Sequence, residues 1–113
     1  MPTATVDVDR VLDALGDPTR RAVVAILGEG PRRAGELAAH AGTSAPSMSR
    51  HLRALLDAGI VSDERDAGDA RARVFSLRHE SIEAMQAWLD QLREHWDGQL
   101  ASFRRHVEAG RHP

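Results

Sequence analysis

The stretch from Glu36 to Gly59 constrains the fold more than any other part of this sequence. It reads as a short helix, a turn at Ala41–Thr43, and a longer helix from about Ser44 to Asp57. Gly42 can adopt the left-handed conformation that ends a helix, and Ser44 is a good cap for the helix that follows. Two helices joined by a short glycine-containing turn form a helix-turn-helix, which we predict over about residues 34–57. In that motif the second helix lies in the major groove of DNA.

The predicted second helix has one apolar face and one polar face. The apolar face consists of Ala45, Met48, Leu52, Leu55 and Leu56. The polar face presents Ser47, Ser49, Arg50, Arg53, Ala54 and Asp57. No acidic residue occurs from Thr43 to Leu56, although the chain contains 17 acidic residues. This gap favours an anionic partner over the alternative of an ordinary solvated helix, and side chains of this kind hydrogen-bond to base edges and phosphates.

A β-hairpin is predicted directly after the helix-turn-helix, over about residues 60–77. Ile60–Arg65 and Arg71–Leu77 read as strands, joined by a turn at Asp66–Asp69. A hairpin in this position is a wing, and Arg71 and Arg73 are its candidates for contacting DNA. The acidic residues Asp63, Glu64, Asp66 and Asp69 oppose such a contact. The sequence therefore leaves the role of the wing open.

Further arginines lie before the motif. Arg32 and Arg33 precede its first helix, which is the element that crosses the DNA backbone, so we expect Arg33 to contact phosphate. Arg20 and Arg21 lie in the first turn of a helix over Pro18–Leu27 that Asp17 can cap. All four arginines are candidates for contacting the DNA backbone, and the alternative is that their side chains are simply solvated.

The first and last helices, about residues 7–15 and 82–107, carry apolar stripes at three–four spacing. The stripe of the last helix is nearly heptad with one stutter, and it is longer than a chain of this size can cover by itself. We therefore predict a homodimer, with an intramolecular core as the alternative. The predicted interface consists of Val8, Val11, Leu12, Leu15, Met85, Leu89, Leu92, Trp96, Leu100 and Phe103.

Composition excludes several classes of protein. The length of 113 residues indicates a single domain over residues 1–113, and the absence of cysteine excludes disulfides and thiolate metal sites. The polar N-terminus is not a signal peptide, and no apolar run reaches membrane-spanning length, so we expect a cytoplasmic protein without a membrane partner. No catalytic motif is present, which counts against an enzyme. A net charge of −2 counts against simple nucleic-acid binding, but the local distribution of charge decides this more than the sum.

The sequence resembles the ArsR/SmtB-type winged helix-turn-helix repressors. The resemblance is carried by ALGDPTRRAVVAIL (Ala14–Leu27), GELAAHAGTSAPSMSRHLRALLDAGIV (Gly35–Val61) and RARVFSL (Arg71–Leu77). It implies a mostly α fold with a β-hairpin wing, in the order α-α-α-α-β-β-α, dimeric through the first and last helices. It also implies a homodimeric repressor that binds an inverted repeat in double-stranded operator DNA.

The resemblance assigns roles to individual residues. It places base contacts at Ala45, Pro46, Ser49 and Arg50, and phosphate contacts at Ser44, Ser47 and Arg53. Arg71 occupies the position of the family's wing arginine, although Ala70 replaces the glycine that usually precedes it. Because Ala45 and Pro46 have no side-chain hydrogen-bonding groups, direct readout of bases is expected from Ser49 and Arg50.

Metal sensing, which is well known in this family, has weak support in the sequence. His95 and His106 match two ligand positions of the family's last-helix site, but Arg93 and Ala109 occupy the others and do not coordinate metal. The last helix, with Trp88 and Trp96 eight residues apart, resembles a non-metal subgroup of the family, and we expect no cofactor; the pattern specifies no effector. A metal-responsive repressor with a degenerate site is one alternative. The other is a winged-helix module that works through protein contacts without binding DNA.

Overall fold

The computed structural model describes residues 6–110. It contains five helices and three strands within that range, in the order α1 (Val8–Ala14), α2 (Pro18–Leu27), β1 (Arg32–Arg33), α3 (Ala34–Ala41), α4 (Ala45–Asp57), β2 (Val61–Arg65), β3 (Arg73–Leu77) and α5 (His79–Gly110). The fold class is confirmed: mostly α, with a β-hairpin wing after the helix-turn-helix. The predicted domain spans residues 1–113, and its residues 1–5 and 111–113 lie outside the described part of the chain.

Side chains at three helix starts satisfy backbone groups that would otherwise lack partners. The carboxylate of Asp17 accepts hydrogen bonds from the backbone N–H of Thr19 at 2.8 Å and of Arg20 at 3.1 Å. Asp7 caps α1 in the same way, and Ser44 Oγ accepts from the backbone N–H of Ser47 at 3.2 Å. These caps explain why α2 and α4 begin where the sequence predicts.

The turn between α3 and α4 depends on glycine. Gly42 has a φ of 65°, in the left-handed region that side chains disfavour. The chain can therefore reverse within Gly42–Ser44 and start α4 at Ala45. The helix-turn-helix predicted over residues 34–57 is confirmed by α3 and α4.

The wing belongs to a three-stranded antiparallel sheet in the order β1-β3-β2. Strand β1 differs from the prediction, in which Arg32 and Arg33 only precede the first helix of the motif. These residues pair with Phe75 and Val74 of β3. A strand of two residues has no alternation pattern to detect, so only its partner reveals it.

The second wing strand begins later than predicted, at Arg73 rather than Arg71. Arg71 lies in the turn, where its backbone N–H donates to the carboxylate of Asp69 at 3.0 Å. The backbone N–H of Asp66 donates to the carbonyl of Ala72 at 3.0 Å, and strand pairing starts with Arg65 opposite Arg73. The turn is therefore longer than the sequence indicated.

A single apolar core lies between α1–α4 and the sheet. Its buried members come from every element except α5 and β1: Val11, Ala14, Val23, Leu27, Leu37, Ala38, Met48, Leu52, Leu55, Ile60, Val61 and Phe75. Ile26, on the same helix as the buried Val23 and Leu27, is only half-buried. This core holds the helix-turn-helix and the wing in one unit.

Helix α5 extends away from that core. It runs from His79 to Gly110, three residues longer at each end than predicted. Its 32 residues span about 48 Å at 1.5 Å per residue. The molecule measures 77 × 39 × 21 Å with a radius of gyration of 20.1 Å, against about 13 Å for a compact chain of this length. Only its first turns contact the rest of the protomer, with Ser81 buried and Met85 packed on the core.

None of the described helices is long and apolar enough to cross a membrane.

Candidate nucleic-acid interface

The surface of α4 opposite the core presents most of the predicted DNA-contacting side chains. Ala45, Pro46, Ser49, Arg50 and Arg53 are exposed, whereas Ser47 is half-buried. Met48, Leu52 and Leu55 on the other side of the helix are buried. The helix is therefore held from behind by its own core while its polar face remains accessible.

Two assignments on α4 need correction. Ala45 was placed on the apolar face, but it is exposed, like Pro46 beside it. Ala54 was placed on the polar face, but it is half-buried. The accessible part of α4 therefore consists mainly of its N-terminal half and Arg53.

A groove of about 920 Å³ runs between α4, the start of α3 and the wing. Buried or half-buried apolar side chains, including Leu52 and Phe75, form its floor, and Ser49 lies at its edge. Its charged lining comes from Arg33, Glu36, Arg53, Asp63, Arg71 and Arg73. The fold thus gathers four of the five predicted DNA-contacting arginines around one groove; the fifth, Arg50, is exposed on α4 but does not line it.

These five arginines differ in their partners. Arg33 forms an ion pair with Asp66, and Arg73 forms one with Asp63 at 2.6 Å. Within residues 6–110, Arg50, Arg53 and Arg71 form no ion pair with a carboxylate. Three of the predicted contacts are therefore free to meet phosphate, and two are already engaged by acids of the wing.

Asp66 occupies the centre of the wing turn. Its carboxylate accepts hydrogen bonds from the backbone N–H of Gly68 at 3.0 Å and from the guanidinium of Arg33. These two bonds, the first more than the second, lower the pKa of Asp66 below its usual value, against a smaller opposing effect of burial. Asp66 is therefore a carboxylate at neutral pH. The sequence flagged it only as an acid opposing DNA and gave no sign of its link to Arg33.

Arg20 and Arg21 are engaged within the protomer. The guanidinium of Arg20 donates to the carbonyl of Ala14 at 2.5 Å and lies 3.5 Å from His51 Nδ1 on α4. Arg21 donates to the carbonyl of Leu15 at 2.8 Å. Both side chains thus hold the C-terminal end of α1, which explains their position better than solvation does.

Asp17 joins the same junction between α1, α2 and α4. His51 Nδ1 lies 3.9 Å from its carboxylate. The hydrogen bond from the backbone of Arg20 is the largest cause of a lowered pKa at Asp17; the bond from Thr19 and the charges of His51 and Arg20 add to it, while burial opposes it. His51 therefore packs at the junction between α1, α2 and α4. The sequence did not reveal that Asp17, Arg20 and His51 meet.

The predicted dimer surface separates into buried and exposed residues. Val11 is 0% exposed and belongs to the core of its own protomer, so its assignment to an interface with a partner is corrected. Val8, Leu15 and Met85 are half-buried. An exposed stripe remains, formed by Leu12, Leu89, Leu92, Trp96, Leu100 and Phe103, with Ile82 and Trp88 beside it.

The candidate metal ligands do not come together in one protomer. His95 and His106 are both exposed on α5, eleven residues and about 16 Å apart along the helix axis. Among residues 6–110 no three histidine, aspartate or glutamate side chains are grouped as a metal site would require.

A capped second helix supported by its own core, followed by a β-hairpin whose arginines face the same groove, defines a winged helix-turn-helix regulator. A family model described as a helix-turn-helix domain matches residues 15–64. The HTH-type transcriptional regulator Rv2034 of Mycobacterium tuberculosis is 37% identical over 101 residues, which cover 89% of each chain. The chain belongs to the ArsR family of DNA-binding transcriptional regulators, which are not enzymes.

Solved structures support the same assignment. The crystal structure of ArsR family transcriptional regulator RHA00566 is 34% identical and has a TM-score of 0.71; the match covers 79% of this chain and 94% of that one. The homodimeric winged helix-turn-helix domain of Mb0332 from Mycobacterium bovis matches with a TM-score of 0.61 over 80% of this chain and 82% of its own. At 22% identity, that second likeness concerns the fold alone.

Proposed function

We propose that this protein is a homodimeric repressor that binds an inverted-repeat operator through α4, in the cytoplasm where the chromosome is accessible. The observation that carries the proposal is the polar face of α4, which is exposed, contains no acid before Asp57 at its C-terminal end, and is supported from behind by Met48, Leu52 and Leu55. A rigid helix of this kind can enter the major groove without unpacking the core.

The residues of this face take different roles in the proposal. Ser49 and Arg50 read base edges, because serine and arginine can hydrogen-bond there. Ala45 and Pro46 allow close approach of the helix, and Arg53 and Arg71 contact phosphates on either side of the groove. Ser44 and Ser47 lie at the N-terminus of α4, which attracts phosphate. They contact phosphate mainly through this helix end, because Ser44 Oγ already accepts a hydrogen bond from the backbone N–H of Ser47.

Dimerisation is supported by the exposed stripe on α5. Trp96 and Leu100 are each 59% exposed and Phe103 is 65% exposed, which is unusual for a contiguous row of large apolar side chains on a soluble protein. A second copy covers such a stripe with the same stripe. Because operator half-sites are related by the same two-fold axis, a dimer of this kind matches an inverted repeat.

The proposal is tested by DNA binding of Arg50→Ala. Labelled duplexes from the region upstream of the gene are titrated with wild type and variant at several salt concentrations. We expect the wild type to bind at about 10⁻⁸ M or tighter at physiological salt, and Arg50→Ala to lose about 10- to 100-fold. The matched control is Arg10→Ala, which removes an exposed arginine of α1 whose one ion pair among residues 6–110 is with Asp7.

Three outcomes would contradict parts of this proposal. Equal binding by wild type and Arg50→Ala would overturn the assignment of α4 as the reading helix. A stable dimer without salt-dependent DNA affinity would favour a protein-interaction module instead. Release of the operator on adding Zn²⁺ or Ni²⁺ would favour the metal-responsive alternative through His95 and His106.

A further inference from the structure

The wing turn holds a carboxylate against an arginine that faces the proposed DNA. Asp66 lies between β2 and β3, and it forms an ion pair with Arg33 at the start of α3. This pair joins positions 33 residues apart in sequence, and both the start of α3 and the wing contribute residues to the lining of the groove. It is thus the direct ionic link between the wing turn and the helix-turn-helix within the described residues.

The carboxylate is the fixed member of this pair. Its hydrogen bond from Gly68, the bond from its own N–H to Ala72, and the bond from the N–H of Asp69 to its carbonyl anchor Asp66 in the turn. Its side chain is 20% exposed, whereas that of Arg33 is 48% exposed. The guanidinium is therefore accessible from solvent, but its closest anionic partner already belongs to the protein.

We propose that Asp66 acts as an internal competitor of DNA phosphate for Arg33, so that the wing turn limits the affinity of this protein for DNA. The inference rests on the proposed function, because it requires DNA to approach the groove. A paired Arg33 and Asp66 carry no net charge, so together they displace no counterion from DNA. Neutralising Asp66 leaves a free cation facing the DNA.

The same relation holds within the wing itself. Arg73 pairs with Asp63, its diagonal neighbour across the strands, and Asp63 is again the less exposed member at 23% against 57%. Two of the groove's four arginines are thus paired with wing carboxylates, which leaves Arg53 and Arg71 to supply its positive charge.

The test compares DNA binding of Asp66→Asn, the double variant Arg33→Gln/Asp66→Asn and wild type. The probe is a fluorescein-labelled duplex of about 25 base pairs of random sequence, because phosphate contacts do not depend on base sequence. Fluorescence anisotropy gives the affinity at several NaCl concentrations. Asparagine can still accept the hydrogen bond from Gly68, so the turn is retained.

Each variant has a distinct expected result. Asp66→Asn binds about three- to tenfold tighter at low salt, and its plot of log affinity against log salt is steeper by about 0.9 per protomer. The double variant binds within about twofold of wild type, because a pair without net charge has been removed. The matched control is Glu64→Gln, which removes an exposed charge of the same wing that has no ion-pair partner among the described residues and raises affinity less than Asp66→Asn does.

Three results would overturn the inference. Weaker binding by Asp66→Asn would mean that Asp66 orients Arg33 toward phosphate. A double variant much weaker than wild type would mean that Arg33 contacts phosphate while paired. An equal gain in DNA affinity from Glu64→Gln would mean that the effect of Asp66→Asn comes from general repulsion between the acidic wing and DNA.

Two further controls keep the result interpretable. Circular dichroism and thermal unfolding check each variant, and Asp66→Ser, which can also accept from the turn backbone, replaces Asp66→Asn if the latter does not fold. If neither wild type nor any folded variant binds a duplex at low salt, the proposed function fails and the inference falls with it. Binding by wild type with no gain in Asp66→Asn overturns the inference alone.

Discussion

Helices α4 and α5 are both amphipathic, but the protomer covers the apolar face of only one of them. In α4 the face formed by Met48, Leu52 and Leu55 is buried against α2, α3 and the wing. In α5 the row from Leu89 to Phe103 is exposed along most of its length. The same sequence pattern therefore leads to two different surfaces, a polar one on α4 and an apolar one on α5.

The difference indicates a division of roles between the two helices. A helix whose apolar face is satisfied within the chain offers its polar face to a polar partner, and DNA is such a partner. A helix whose apolar face is unsatisfied is completed by another apolar surface, and a second copy supplies one. The proposed function thus places reading of DNA on α4 and dimerisation on α5, so that variants in one helix should leave the role of the other intact.

The largest effect is expected from a charge placed in the stripe of α5. Leu100→Glu removes two leucines from the dimer and introduces two carboxylates, which costs about 3 kcal/mol or more and weakens the dimer more than 100-fold. Sedimentation velocity across a concentration series measures this change. Ala101→Glu is the matched control, since it adds the same charge at an exposed position about 100° from Leu100 around the helix, and it should leave the dimer intact. Equal dissociation constants for the two variants would show that α5 does not form the interface.

A smaller effect is expected from a cavity behind α4. Leu55 is 0% exposed, so Leu55→Ala lowers the free energy of unfolding by about 2–5 kcal/mol. Urea unfolding monitored by circular dichroism measures the loss. Leu56→Ala on the same turn is half-buried and should cost less. A cost for Leu55→Ala no larger than that for Leu56→Ala would mean that α4 is not supported by the core in the way described.

The smallest effect concerns the start of α4, where capping and DNA contact coincide at Ser44. Ser44→Ala removes the hydrogen-bond acceptor for the N–H of Ser47 and lowers stability by about 1 kcal/mol. Ser44→Asp retains a cap, so stability is kept, but it places a negative charge at the proposed DNA surface and should weaken DNA binding more than Ser44→Ala does. Thermal unfolding and anisotropy on the same two variants separate these effects. If Ser44→Asp binds DNA as tightly as wild type, the start of α4 does not approach phosphate.

Sequence reasoning predicted the helices well where local signals were strong. Asp17 followed by Pro18, Ser44 followed by Pro46, and Gly42 in the turn are short-range signals that operate through the backbone of their own neighbours. The structure places α2 and α4 at the predicted residues for this reason. The long three–four periodicity likewise predicted α5. The ends of this helix carry weaker signals, and the prediction of about residues 82–107 was three residues short at each end.

Predictions were less accurate where the outcome depended on residues distant in sequence. Strand β1 consists of two arginines that become a strand only because β3 lies beside them. Val11 shares the spacing of Leu12 and Leu15, and nothing in the spacing shows that it turns inward while Leu12 is exposed. The pairing of Arg33 with Asp66 joins positions 33 residues apart.

The sequence by itself determined the helix-turn-helix, the wing and the amphipathic last helix, because caps, turn residues and periodicity act over a few residues. It also determined the absence of acidic residues from Thr43 to Leu56. Only the tertiary structure decided which apolar residues the protomer buries and which arginines are already occupied by a carboxylate. The burial of apolar residues and the pairing of arginines both depend on which elements pack together. Because acidic and basic residues are nearly balanced at this surface, the packing decides which arginines remain free to meet DNA.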